Sequence, residues 1–352
     1  MYDKDILKVL NALGLEKKAN EVMNTGVAGG GAELIPDQIL MQEVFEAAPK
    51  HGTFLGALPG FHGSGLQKSQ TVPIIGDVSE FTGNTEWTTG SPTPADPDGT
   101  YVNTGEVDLN QKPFIQQIAI SRDLLNYSIA DLESIVRKQL AAAAALTVES
   151  CILNGDPDAS GNVNLDGGTP AATLYYRNIG VDGLRATAIT ATDTHNAGTL
   201  DFADFASIQS LIGDYAAMPS ECMWLFNRNT HNKALTISEF ATENTNGKSS
   251  TVYSGALGNI LGSDYAIPRR MPLAASNGKI SSTPGNNTLG QVVYFWKPAV
   301  QYGFGANLEI VPYKVPGKGV VLYATFDMAM AVVSEKAGIT DPTVAMGINM
   351  TV

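Results

Sequence analysis

The sequence predicts an α+β fold, and three observations carry that prediction. One long helical stretch, "LESIVRKQLAAAAALTVESCILNGD" (132–156), stands by itself instead of alternating with strands. Strand-like segments lie on both sides of it: "TVPII" and "PFIQQIAIS" before it, and three runs between 291 and 333 after it. No internal repeat is visible.

Taken in order, residues 4–23 place Ile6, Leu7, Leu10 and Leu13 on one face of a short helix. The glycine-rich "NTGVAGGGAELIP" then reads as an extended arm, with a hinge at 29–31, and a second helical patch runs from Asp37 to Ala48. From "TVPII" to "PFIQQIAIS" the chain makes a long two-stranded excursion, with Pro92, Pro94, Pro97 and Gly99 in its polar tip. A lone hairpin has too little core to stand by itself, so this one must rest on something.

The long helix follows, from Ile129 to Leu153. Ser128 supplies its cap, Leu125, Ile129, Leu132 and Val136 recur on one face, and Asn154-Gly155 gives a left-handed ending. Alanines 141–145 allow a close neighbour, for which the strands at 306–333 are the candidates. Residues 157–200 read as loop. A helix from Asp201 to Met218, a strand "CMWLFN", a short helix from Arg228 to Leu235 and polar loops come next. "QVVYFWKPAVQYGFG", "NLEIVPYK" and "GVVLYATFDMAMAVV" read as consecutive strands before a short tail.

Composition narrows the function. Charged residues are 16% of the 352, against 43% hydrophobic, well below the ~25% charged of an average soluble protein. So little charge suits a surface that meets other protein. The net charge of −13 argues against specific nucleic-acid binding but does not exclude a container around nucleic acid, since an acidic wall repels phosphate and leaves the contents unadsorbed. Cys151 and Cys222 form no Cys-x-x-Cys pair, so core thiols are expected instead of a disulfide or zinc framework. The opening residues lack signal-peptide order, and no apolar run approaches the ~18 residues of a membrane span. No membrane partner is therefore expected.

No catalytic constellation emerges. His51, His62, His195 and His231 are scattered, and neither His-Glu-x-x-His nor Gly-x-Ser-x-Gly occurs. "GFGANL" (303–308) begins like a dinucleotide loop but puts Leu308 where the third glycine belongs, so no cofactor is expected. "DPDASGNVNLDG" sets Asp156, Asp158 and Ser160 at calcium-loop positions, yet Gly167 replaces the bidentate glutamate. Aspartate and glycine turn chemistry explains the same letters. Arg137, Lys138, Arg269 and Arg270 are candidates for solvated charges or for pairing across an interface.

The order of these pieces resembles the HK97-fold major capsid proteins of tailed bacteriophages. The resemblance rests on Ile120-Ser121-Arg122, Leu124-Leu125, the long helix and Leu153-Asn154-Gly155-Asp156, followed by "MWLFNRNTHNKALT", "GNILGSDYAIPRRMP" and "VYFWKPAVQYGFGANLEIV". It covers the chain from about residue 30. What it implies is an N-terminal arm (1–60), an extended loop with flanking strands (61–120) and a peripheral domain with the long helix as spine (121–199). An axial domain (200–305), peripheral strands (306–335) and a C-terminal tail (336–352) complete it. Trp87, Pro92 and Pro94 at the loop tip would join Arg137, Lys138, Arg269 and Arg270 as interface residues. The implied role is non-enzymatic: an icosahedral virion shell of pentamers and hexamers around double-stranded DNA, assembled in the host cytoplasm. Portal, a decoration protein and a separate scaffolding protein are the implied partners, the opening Met1 favouring a separate scaffold over a cleaved one.

One departure matters. The family's founding member crosslinks subunits through a lysine on the extended loop, but "WTTGSPTPADPDG" contains none, and Lys68 and Lys112 lie at the hairpin's base. No such crosslink is expected. The competing expectations are an encapsulin-type compartment around protein cargo and, in another class, a soluble enzyme with an unrecognised site.

Overall fold

A computed structural model describes residues 54–64, 68–75, 104–121, 132–241, 257, 259–305, 308–316, 319–333 and 342–352. The readings made for the arm and its helices, the hairpin tip and residues 122–131 lie outside them.

In chain order the elements are β1 (Phe61–Ser64), β2 (Ser69–Ile75), β3 (Thr104–Asn110), β4 (Lys112–Ser121), α1 (Leu132–Asn154), α2 (Tyr175–Asn178) and α3 (Leu184–Ala191). Then come β5 (Thr194–Asn196), α4 (Phe202–Ser210), β6 (Cys222–Phe226), α5 (Arg228–Ala234), α6 (Ser238–Ala241) and β7 (Asp264–Ala266). The last are β8 (Gly290–Trp296), β9 (Val300–Phe304), β10 (Glu309–Val315), β11 (Gly319–Val332) and β12 (Val344–Met350).

β11 is the centre of the first sheet. β10 and β9 pair along one side of it, β4 along the other, and β1 lies beyond β9. Leu140, Ala141, Ala144, Val148 and Ile152 of α1 share one core with Phe114, Ile120, Leu322, Ala324 and Phe326 of this sheet. Their spacing of about four residues is one face of a helix. Along β11 alternate residues are buried as far as Met328, and from there to Ala331 every residue is. The change has a cause: Val107 and Leu109 of β3 pack on Ala329 and Ala331, covering the second face.

The second sheet runs β5-β12-β8-β6-β7. β6 is buried at every position, because α4 covers one face and the first core meets the other. Trp224 stacks on Tyr294 at 4.2 Å, with Phe205 of α4 edge-on at 5.4 Å. Asp201 caps α4 and Asp204 returns the bond, a reciprocal capping box. Cys151 and Cys222 are free and buried.

Several expectations need correction. The hairpin partner of β2 is β3, "TGEVDLN", and not "PFIQQIAIS", which as β4 belongs to the first sheet. The segment 104–110 looks polar, yet it alternates: Val107 and Leu109 are buried between exposed Glu106, Asp108 and Asn110. Residues 157–200 are not all loop, since "LRATAITA" forms α3. The helix read from Asp201 to Met218 stops at Ser210, and Gly213 at φ 64 opens a 3-10 turn. "QVVYFWKPAVQYGFG" is two strands in different sheets, divided at Lys297–Ala299. The supposed tail 336–352 contains β12, which lies between β5 and β8 with most of its residues buried.

Two readings of the long helix also change. Gly155 is not left-handed; it serves close approach, for a Cβ there would lie 2.7 Å from the Cys151 carbonyl and 2.9 Å from that of Val181. Among the alanines, 141, 144 and 145 are buried, while Ala143 is exposed and cannot be the residue that admits the strands.

The hairpin's anchorage yields a test. Leu109 is fully buried where β3 meets β11, so Leu109→Ala should cost about 2–5 kcal/mol. Limited proteolysis should then cut the hairpin first; a cleavage pattern like that of wild type would remove Leu109 as its anchor.

Candidate functional site

The end of α1 is where several segments distant in the chain meet. Gly183, the N-cap of α3, donates its N–H to the Gly155 carbonyl at 2.8 Å, and Gly155 donates to the Cys151 carbonyl at 2.8 Å. A Cβ on Gly183 would come within 2.6 Å of both the Gly155 nitrogen and the Ile152 carbonyl oxygen. Two facing glycines thus let the end of α1 and the start of α3 touch through backbone.

That contact places Arg185, in the first turn of α3, inside the protein with no exposure. Its Nε donates to Gln291 Oε1 at 3.1 Å. Nη1 donates to Asn154 Oδ1 at 2.8 Å and Asn164 Oδ1 at 3.1 Å. Nη2 donates to the carbonyls of Val163 at 3.3 Å and Gly278 at 3.0 Å. All five guanidinium N–H groups are thereby used, every one on a neutral acceptor. Burial pulls the group down to about 10, with smaller opposing contributions from Tyr175 and Asp156, so it stays charged at neutral pH.

The node reaches further through its acceptors. Asn154 Nδ2 donates to the Arg270 carbonyl at 3.0 Å, and Gln291 Nε2 to that of Pro272 at 2.7 Å. α1, the loop after it, α3, β8 and the 270–278 loop therefore converge on one guanidinium.

The candidate cation loop sits beside it. Asp156 is buried, and its carboxylate accepts the N–H groups of Asp158 at 2.9 Å and Val163 at 2.7 Å. Asn162 Nδ2 donates back to the carbonyls of Asp156 and Asp158. Both Asp156 oxygens thus hold the loop's own backbone, while Asp158 and Ser160 are exposed. Among the described residues no cluster of three metal-ligating side chains forms.

The other candidates are spread out. Arg137 is half-buried and Lys138 exposed in the first half of α1. Arg269 and Arg270 are exposed at its far end, roughly 25 Å away at ~1.5 Å per residue, so the two basic pairs do not form one patch. Trp87, Pro92 and Pro94 lie outside the described residues. His62 pairs with Gln301, His195 with Asp204 at 2.8 Å, and His231 stacks on Tyr265 at 5.4 Å. These histidines share no site.

An open, uncharged groove of about 510 Å³ runs between α1 and β4. Phe114, Ile118, Leu140, Ala324 and Phe326 line it, and Ile115 stands at its lip 68% exposed. Sequence reasoning missed Arg185, Gly183 and Ile115. The only signal for Arg185 was a lone arginine in an otherwise uncharged helical segment.

Comparison with known proteins bears on the whole arrangement. The model of the phage capsid family matches residues 31–283. A chain from Mycobacterium phage Adephagia shares the fold at TM-score 0.56 and 14% identity, over 85% of this chain and 90% of that one. One from Microbacterium phage Oxtober96 does so at 0.55 and 15%, over 83% and 89%. One from the Cyanophage Pam1 capsid asymmetric unit gives 0.54 and 12%, over 85% and 92%. At such identities the likeness is one of fold. No curated protein matches the chain significantly.

Proposed function

Because this chain belongs to the phage capsid family, we propose that it builds an icosahedral phage head from pentamers and hexamers and encloses double-stranded DNA. It is a structural protein of the virion shell, not an enzyme, and it has the HK97-like α+β capsid fold. The family match over residues 31–283 is the observation that carries the proposal.

The parts take roles accordingly. The first sheet with α1 as spine serves as the peripheral domain, and the second sheet as the axial domain around five- and six-fold centres. Here β12 joins the axial domain, with which it pairs. The β2–β3 hairpin is the base of the extended loop, reaching to a neighbour from its anchorage on β11. Residues 1–60 serve as arm, and Trp87, Pro92, Pro94, Arg137, Lys138, Arg269 and Arg270 as interface residues. A net charge of −13 supports a wall that confines DNA without adsorbing it. A separate scaffolding protein, a portal and a decoration protein would complete assembly in the host cytoplasm.

Electron microscopy of the full chain, expressed with and without the phage scaffold, tests this. Closed shells with five- and six-fold capsomers, and nuclease-protected DNA in mature particles, are the expected results. Particles filled with protein cargo would favour a compartment instead, and a stable small oligomer under every condition would overturn the proposal.

A further inference from the structure

Asn-Gly pairs begin at Asn154, Asn246 and Asn277. Such a pair is chemically labile, because glycine has no Cβ to keep its nitrogen from the asparagine side chain. The pair at Asn246 lies outside the described residues, and the other two have opposite surroundings. Asn154 is buried, with its amide held by Arg185 and by the Arg270 carbonyl, and the Gly155 N–H is bound to Cys151. Asn277 is exposed, in a tight turn closed by Gly278 N–H on the Ala275 carbonyl at 3.0 Å and Ala275 N–H on the Lys279 carbonyl at 2.9 Å.

The turn dictates both residues of this pair. Gly278 has φ 76, and a Cβ there would lie 2.7 Å from Ile348 Cγ2, so other residues are strained in torsion and in space. Asn277 Oδ1 accepts the Lys279 N–H at 3.1 Å, and Nδ2 donates to Asp166 Oδ2 at 2.9 Å. The fold itself therefore sets a labile pair in contact with water.

What Asn277 holds lies beside Arg185. The loop after α1 and the 275–282 segment are zipped by Ile280 N–H on Val163, Asp166 N–H on Ile280 and Ser282 N–H on Asp166, at 2.9, 2.7 and 2.8 Å. Arg185 Nη2 bridges the same two segments through the Val163 and Gly278 carbonyls. The Asn277–Asp166 bond closes the exposed side of this zipper.

We propose that Asn277–Gly278 is a site of spontaneous deamidation, and that its product unzips the two segments beside Arg185. When the turn opens, hydroxide takes the Gly278 N–H proton and the nitrogen attacks Asn277 Cγ. The tetrahedral carbon expels the side-chain nitrogen, which takes a proton from water and leaves as ammonia, and a succinimide ring closes. Water then adds to one ring carbonyl and breaks its bond to nitrogen. The product is aspartate or, with the backbone rerouted through Cβ, isoaspartate; one water is consumed and one ammonia released. Either product sets a carboxylate where an amide donated to Asp166, so a hydrogen bond becomes a repulsion between like charges. Isoaspartate also adds a backbone carbon to a turn whose Gly278 is already close against Ile348.

The full chain, aged folded at mildly alkaline pH and mapped by peptide mass spectrometry, should gain isoaspartate at Asn277 and none at Asn154. A sample aged in urea, where both pairs react, sets the time scale. Asn277→Asp supplies the product's charge at once. Amide exchange at Ile280 and Ser282 should then quicken about fivefold or more, as losing a hydrogen bond to a charged group does, and Asp166→Asn in the same chain should reverse most of this. A folded chain unmodified at Asn277 while the urea sample converts, or one that converts as fast at Asn154, would overturn the site. Wild-type exchange in Asn277→Asp, or fast exchange that Asp166→Asn leaves in place, would overturn its effect on the zipper.

Discussion

Arg185→Ala should unfold the protein or leave it insoluble. The guanidinium makes five hydrogen bonds in full burial. Each hydrogen bond to a charged group contributes about 1.5–3 kcal/mol, and each acceptor left buried without a partner costs about 1–3 kcal/mol. Even with most of that recovered by relaxation or entering water, a loss above ~4 kcal/mol is expected, a large share of the ~5–15 kcal/mol that holds a domain together. The hydrogen-bond partners are amides and carbonyls, so the loss comes mainly from their geometry, with a smaller part from the buried Asp156 carboxylate that the guanidinium helps to offset. Arg185→Lys should therefore recover only a fraction: three donors from one point cannot reach acceptors arranged for a planar fork. Urea unfolding of the soluble fraction is the measurement. If Arg185→Met unfolds within about 1 kcal/mol of wild type, the node is not what joins α1 to the second sheet.

Gly183→Ala is expected to have the second-largest effect. Its φ of −88 is open to any residue, so no torsional penalty applies and the cost is steric. The new methyl would sit 2.6 Å from the Gly155 nitrogen and the Ile152 oxygen, both backbone atoms of the neighbouring helix end. Side chains can rotate away from such a clash, but a helix terminus must shift as a body. Overpacking costs about 1–3 kcal/mol where side chains yield, and the upper end or more is expected here. Gly285→Ala is the control, since nothing lies within 4 Å of a Cβ there. Thermal unfolding should separate the two; equal midpoints would mean that the glycine contact is not close in solution.

These two predictions fall on residues of very different legibility. Asn154, Gly155 and Asp156 stood out as a helix ending, and the ending is there, but for other reasons than turn preference. Asn154 holds Arg185, Gly155 admits Gly183, and Asp156 clamps the following loop. Gly183 and Arg185 gave no comparable signal, because each acts only on groups far away in sequence. Ile115 was read as an ordinary strand residue, and its exposure depends on which strand lies beside it. The hairpin shows the same limit: the excursion was visible, while its closing strand was misplaced by one element.

By itself, the sequence determined the α+β class, the long helix, the central strands and the low fraction of charged residues, because each is written in local periodicity and composition. The order of its segments was enough to indicate the capsid family. Only the tertiary structure decided that β3 closes the hairpin, that the final residues form a core strand, that Arg185 joins α1 to the second sheet, and that β4 pairs with β11. The reason is physical. A side-chain pattern reports whether a face will be buried, whereas the identity of the covering partner is fixed by packing between segments hundreds of residues apart.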